Sequence, residues 1–498
     1  MTLAPMGRST ISAPGSRLSD RHVGVQSTAT LVPENDTEGE FMTRHLRVAV
    51  VGAGPAGVYA SDILTKAALP DTFDSVSVDI LDSDPTPFGL IRYGVAPDHP
   101  RIKEIIKALY RVMGNEDIRF FGNVDYGTDL KLDHLKRFYD AVIFATGARR
   151  DRQLDIPGID LRGSFGGADF VSWYDGHPDA PRDWDFAPHA ESVAVIGVGN
   201  VGLDVARMLA KTADELLVTD IPDNVHRCLK ANATQDVHIF ARRGPAQVKF
   251  TPMELRELSH SDTIDVIVHP EGFELDEGSM DAIRSSKSQK LVVDVLQNYL
   301  AKEPTGADHR IHIHFCQNPV EVLGEDGQVV GLRTEITELD GTGNVRGTGE
   351  FVDWPVQAVY RTIGYYSDNL SGLPFDQVHG VVPNDGGRVI EIDGSPLPGA
   401  YVTGWIKRGP VGLIGHTKSD AAETIRLLME DLDDLVPPEN GDPDAFVRHL
   451  DSQGIEYTTW AGWEKLNEHE LGLGASHAHE RERVKVVPRE DMVRVARS

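Results

Sequence analysis

The sequence predicts an α/β protein of two Rossmann-like dinucleotide-binding domains, one inserted into a discontinuous other, and three observations predict it. Two glycine fingerprints share the G-x-G-x-x-G spacing. Each follows a β-branched apolar strand and opens a helix, the setting in which such glycines cradle a pyrophosphate. Two more apolar strands, 139–152 and 359–366, each run into a Thr-containing glycine turn, where a chain passing between the two units would cross.

Residues 48–60 read VAVVGAGPAGVYA. Gly52 permits the tight turn, Gly54 lets backbone N–H groups approach a pyrophosphate, and Gly57 allows close packing of the helix that Pro55 opens. The N-terminus of that helix adds partial positive charge. A second strand, VSVDILD at 76–82, ends in Asp82, a carboxylate placed to accept hydrogen bonds from ribose hydroxyls. The second fingerprint, VAVIGVGNVGLDVARML at 193–209, repeats the spacing at Gly197, Gly199 and Gly202. Its ribose-reading strand, VHIFARRG, ends in Arg242 and Arg243 where an NAD enzyme places an acid. Arginines there suit a 2′-phosphate, so the second nucleotide is expected to be NADP(H).

The crossings give domain bounds. A first dinucleotide-binding part covers 44–150, an inserted NADP-binding domain 151–366, and a second part of the outer domain 367–498. Residues 1–43, rich in Ser, Thr, Pro and Gly without periodicity, are expected to be a disordered extension. Segment 274–290 reads as a variable loop, and VKVV at 484–487 as a basic strand.

Composition excludes several function classes. With 77 acidic against 49 basic residues the net charge is -28, which repels a phosphate backbone or anionic membrane, so no nucleic acid is expected as partner. No apolar run approaches the roughly 20 residues that span a bilayer, and no membrane insertion is expected. Two cysteines, Cys228 and Cys316, form no CxxC pair and cannot supply the four thiolates of an ordinary iron-sulfur cluster. That argues against a disulfide reductase and against an electron-input subunit carrying its own clusters. An NADP-sensing regulatory protein stays open as the non-enzymatic alternative, because a nucleotide fold does not dictate function.

Four further strings stand in order along the chain: PTPFGLIRYGVAPDHP at 85–100, ATGARRDRQLDIPG at 145–158, ARRGPAQVKFTPMELREL at 241–258 and GWIKRGPVGLIG at 404–415. With the two fingerprints, they resemble the adrenodoxin reductase type of ferredoxin–NADP reductase over about residues 46–490. The resemblance implies FAD in the outer domain, NADP(H) in the inserted one, and a ferredoxin or adrenodoxin-like iron-sulfur protein as partner. It implies FAD contacts at Ala56, Asp82, Leu90, Val124, Trp405, Gly412, Leu413 and Ile414. It implies NADP contacts at Arg152, Val198, Gly199, Asn200, Val201, Arg242, Arg243, Glu254 and Gly412, and a catalytic site containing His99 and Glu257. Phe88 stands where relatives often carry Trp. The family occurs in actinobacteria and mitochondria; a cytoplasmic, bacterial location is expected, with the mitochondrial matrix as alternative. An acidic partner would need local basic surface, for which Lys407, Arg408, Lys103, Lys107 and Arg111 are the candidates.

Overall fold

The computed structural model describes residues 44–186, 190–412, 414–479 and 481–498, with the side chain of Ile414 left out. The extension 1–43 and Leu413 lie outside the described residues. Along the chain, β1 (Arg44–Val51) turns through the first glycine loop into α1 (Pro55–Leu64), and β2 (Phe73–Asp82), β3 (Ile118–Gly122) and β4 (Ala141–Phe144) follow. Then come β5 (Ser164–Gly166), β6 (Ser192–Ile196), α2 (Asn200–Ala210), β7 (Asp236–Phe240), α3 (Pro252–Glu257), β8 (Ile264–Val268) and β9 (His309–His314). A meander of β10 (Gln317–Glu325), β11 (Gln328–Leu339) and β12 (Val345–Trp354) precedes β13 (Ala358–Arg361). Three strands, β14 (Asn384–Asp385), β15 (Arg388–Ile390) and β16 (Pro396–Val402), lead to helix α4 (Ile414–Glu430) and the C-terminal helices α5 (Trp460–Ala475) and α6 (Arg489–Ala496).

These strands form two main sheets. The first has the order β14-β15-β16-β4-β1-β2-β3, so residues on both sides of the second sheet contribute to it. From β16 to β3 its neighbours are all parallel. The second has the order β5-β13-β6-β7-β9-β8 and is parallel throughout. In each, the fingerprint strand lies where the strand order reverses, and the crevice beyond its C-terminal end is where α/β sheets bind ligands. The two crossings pair with each other as an antiparallel ribbon, Tyr365 opposite Asp151 and Tyr366 opposite Arg150.

Burial explains the run of apolar residues. Strands β1 and β4 are covered on both faces, as parallel strands must be, and Val48, Ala49, Val50, Val142 and Ile143 are fully buried. A second core gathers Val193, Val195, Leu203, Val205, Val237, Ile239, Ile311 and Ile313 around the inserted sheet.

Two expectations need correction. Segment 274–290 is not a loop: Asp276 caps a helix over Glu277–Ser285 and Ser286 caps another over Lys287–Leu300, each side chain accepting a backbone N–H. VKVV joins no sheet. Lys485 instead turns inward, where its Nζ donates to the carbonyls of Arg92 and Asp175, both at 3.0 Å, and lies 3.2 Å from Asp220.

Candidate active site

The glycines of the first loop divide into two kinds. Gly52 has φ +115°, and a Cβ there would meet the carbonyl oxygen of Ala145 at 2.5 Å; at Gly57 it would meet the Gly52 carbonyl at 2.0 Å. These two shape the turn and seat the helix. Gly54 has an ordinary φ of -71° and a Cβ there would meet nothing within 4 Å. Its missing side chain leaves room for a ligand rather than for the protein. The second loop repeats the division: Gly197 has φ +132° and lies against Thr362, whereas Gly199 faces open space.

A cavity of about 420 Å³ opens over the first loop, lined among others by Gly54, Ala56, Asp82, Leu90, Val124 and Trp405. Asp82 Oδ2 accepts the Ala53 N–H at 2.6 Å and Oδ1 accepts that of Asp84 at 2.9 Å. Burial first, and then the Asp84 charge, push the Asp82 carboxyl up to about 6. Burial also works against ionised Asp84, but the Arg149 guanidinium and then His177 hold it well below the usual carboxylate range. Val124 is fixed by its N–H bond to the Asp82 carbonyl. Phe88, with φ 84°, is fully buried and donates its N–H to the Ala53 carbonyl, which fastens the PTPFGL segment onto the glycine loop. Trp405 opens a short helix on Gly404, whose φ of 76° an L side chain rarely adopts, and stacks on Tyr365 at 6.4 Å between ring centroids. The Thr146 hydroxyl oxygen lines the same cavity, buried and without a protein partner. An open phosphate cradle, an acid at the ribose position, an aromatic wall and an orphaned hydroxyl fit FAD.

At the second loop, Asn200 Oδ1 accepts the Thr251 N–H at 2.8 Å and the Val198 carbonyl accepts the Lys249 N–H at 2.8 Å. These bonds tie α2 to α3. Val201 packs on the core of the inserted sheet. Arg242 and Arg243 follow the end of β7; Arg242 is exposed and Arg243 half-buried. Among the described residues neither guanidinium pairs with a carboxylate. Arg152 lies over the Tyr366 ring, 4.6 Å from its centroid. Gly412, with φ +91°, is exposed, its hypothetical Cβ 3.0 Å from His416 Nδ1.

His99 meets Glu257 and more. Only 4% exposed, its Nδ1 lies 2.8 Å from Glu257 Oε2, and its Nε2 lies 2.9 Å from both Glu254 Oε2 and Asp204 Oδ1. The ring therefore reaches from the segment before the second sheet into α2 and α3. Burial disfavours its charge, but Asp204 and Glu254 outweigh burial and Arg207, and the pKa rises to about 10. His99 is imidazolium at neutral pH. Arg207 Nη2 contacts Asp204 Oδ1 at 2.8 Å, and its Nε contacts Asp98 Oδ2 at 2.6 Å.

The sequence reading missed Asp98, Asp204 and Arg207. The signal was present: an Asp and an Arg three apart on an otherwise apolar helix are too costly to bury unpaired. Two docking candidates are overturned. Lys407 is buried between Asp420 at 2.9 Å and Glu423 at 2.7 Å, and Lys103 is half-buried with its Nζ held by Asp220 at 2.8 Å.

Residues 46–248 match the pyridine nucleotide-disulphide oxidoreductase family. The chain is 40% identical to an NADPH-ferredoxin reductase FprA of Mycobacterium tuberculosis over 460 residues, 90% of this chain and 98% of that protein. The chain belongs to the adrenodoxin reductase-type family of ferredoxin–NADP reductases. It is also 35% identical to the mitochondrial NADPH:adrenodoxin oxidoreductase of Bos taurus, covering 90% of this chain and 92% of the relative. The structure of M. tuberculosis FprA in complex with NADPH superposes with a TM-score of 0.82 at 37% identity, covering 91% of this chain and all of that one. This family member is thus an NADPH-dependent flavoprotein oxidoreductase of two Rossmann-like domains. No helix among the described residues is long and apolar enough to cross a membrane.

Proposed function

We propose that this reductase takes hydride from NADPH onto FAD and passes single electrons to a ferredoxin or adrenodoxin-like iron-sulfur protein, in a bacterial cytoplasm. The observation that carries this reading is the pair of carboxylate-free guanidiniums, Arg242 and Arg243, beside the open Gly199 cradle, in a chain whose other cradle opens onto the Trp405 cavity. Bound FAD supplies the exchange between two-electron and one-electron chemistry. Asp82, Ala56, Val124 and the Gly54 backbone would hold its adenosine and pyrophosphate side, while Leu90, Trp405 and Gly412, with Leu413 and Ile414 next in sequence, would bound its ring side. Arg242 and Arg243 bind the 2′-phosphate, Arg152 assists, and the 198–201 turn binds the pyrophosphate. Glu254 orients the nicotinamide end from α3. His99, held between Glu254, Asp204 and Glu257, keeps a proton at Nδ1 and Nε2 and fixed positive charge where the domains meet. Residues 44–150 with 367–498 form the FAD domain and 151–366 the NADP domain, a division supported by the ribbon at both crossings.

Purified protein is expected to be yellow, to bleach with NADPH without oxygen, and to reduce ferredoxin far faster with NADPH than with NADH. A colourless protein that binds NADPH without redox turnover would favour the sensor reading.

A further inference from the structure

Lys249 stands beside the second glycine loop without a partner for its charge. Its neighbours Val248 and Phe250 are buried in the core of the inserted sheet, and the alternation leaves Lys249 exposed between them. Among the described residues its ammonium meets no carboxylate within ion-pair distance, unlike those of Lys103, Lys407 and Lys485, each held by an aspartate. The backbone around it is fastened to three consecutive residues of the loop. The Lys249 N–H donates to the Val198 carbonyl at 2.8 Å, Lys249 forms a parallel β-bridge with Gly199, and the Thr251 N–H donates to Asn200 Oδ1 at 2.8 Å. Bridged residues project from the same face of a strand pair, about 4.8 Å apart. The lysine stem therefore rises on the side where a Cβ at Gly199 would meet nothing within 4 Å, at the N-terminus of α2.

We infer that Lys249 is a further nucleotide-binding residue, its ammonium pairing with the pyrophosphate of NADP(H) in the second cradle. The inference rests on the reading of that cradle as the NADP(H) site. Fingerprint loops hold a pyrophosphate by backbone N–H groups and the partial charge of a helix N-terminus. In a chain of net charge -28 the surrounding field opposes a polyanionic nucleotide, and a full positive charge at the cradle offsets it locally. The position separates Lys249 from Arg242 and Arg243: these follow the end of β7, where the ribose is read, whereas Lys249 is paired with the glycine that gives the pyrophosphate room. A lysine ammonium is a compact point charge on a flexible stem, suited to a group that enters and leaves at every turnover. The pyrophosphate is common to NADPH and NADH, so Lys249 raises affinity for both without selecting between them.

The test is calorimetric binding to the oxidised, flavin-loaded protein of three probes: NADP⁺, NAD⁺, which lacks the 2′-phosphate, and 2′-AMP, which lacks the pyrophosphate, with displacement of NADP⁺ reporting the weaker two. Lys249→Gln should bind NADP⁺ and NAD⁺ each about tenfold more weakly, the lower end of what a charge-assisted hydrogen bond contributes, because the lysine is exposed. Binding of 2′-AMP should be unchanged, and Lys249→Arg should recover most of the loss. Arg242→Gln should show the opposite pattern, weakening NADP⁺ and 2′-AMP and sparing NAD⁺. Unchanged NAD⁺ binding by Lys249→Gln, or a loss that extends to 2′-AMP, would overturn the assignment of Lys249 to the pyrophosphate. Unchanged NADP⁺ binding by both variants would overturn the reading of the cradle as well.

Discussion

Gly54 allows the cofactor's room and the protein's own packing to be separated. Its backbone is ordinary and a Cβ there meets open space, so Gly54→Val should leave the fold intact but fill the proposed flavin cradle. The variant should be folded and colourless; a yellow, active one would move the flavin elsewhere. His99 carries a pH signature. Its pKa is raised to about 10 from an ordinary 6.5, so its contribution to stability is fully present below about pH 6.5 and fades as pH climbs through about 10. The stability gap between the protein and its His99→Gln variant should therefore narrow steadily from pH 7 to pH 10 in urea unfolding. A gap that widens over that range would contradict a cationic His99. A charge-assisted bond from the proposed phosphate-binding Arg242 or Arg243 would contribute roughly 1.5–3 kcal/mol. Replacing either should lower kcat/KM for NADPH on the order of 10- to 100-fold while barely touching NADH. An NADPH preference that survives the double replacement would mean that Arg152 or another group reads the phosphate.

Helix α3 shows how an element transmits a local bond to the site. It is only six residues long, and Thr251 at its N-cap accepts the Glu254 N–H at 3.3 Å while the Thr251 N–H is held by Asn200. Thr251→Ala should cost about 1 kcal/mol, the usual loss on removing a cap, and should also lower the rate of flavin reduction by NADPH, since Glu254 and Glu257 ride on this helix. Loss of stability with an unchanged rate would make the cap purely structural. Such a cap is readable in sequence, Thr followed by Pro and then Glu at the third position. Both glycine loops were equally legible, because strand, turn and helix there are local. What escaped was non-local. The positive φ of Phe88 comes from the clamp onto Ala53, and the inward turn of Lys485 comes from Asp175 and Asp220, carried by segments far from it in the chain. The sequence reading took Lys485 for one residue of a basic strand.

At the scale of the molecule, buried ion pairs as well as apolar contacts such as Phe88 with Trp463 knit the chain end to the segments ahead of it. Arg481 contacts Asp223, Lys485 lies between Asp175 and Asp220, and Arg489 donates to Asp179 at 2.8 Å and to the Ser83 carbonyl at 2.7 Å. Asp98 binds Arg207 and Lys211 of the second fingerprint helix in the same manner. These contacts join residues before 150 and after 367 to the inserted segment, and the described residues form one compact unit. In a chain of net charge -28 the buried Arg481 and Lys485 of the C-terminal segment are therefore committed inside the protein, which removes these two from any docking surface. Breaking a buried pair by removing one partner leaves the other charge stranded and typically costs about 3–5 kcal/mol. Lys485→Met strands Asp175 and Asp220 with only Lys103 as counter-charge, so it should lower the melting temperature by several degrees. Calorimetry should then resolve one transition into two, the inserted domain no longer melting with the outer one. Lys485→Arg should restore much of the loss. A single transition at the original temperature for Lys485→Met would show that the domains are coupled through their cofactors and not through the C-terminal segment.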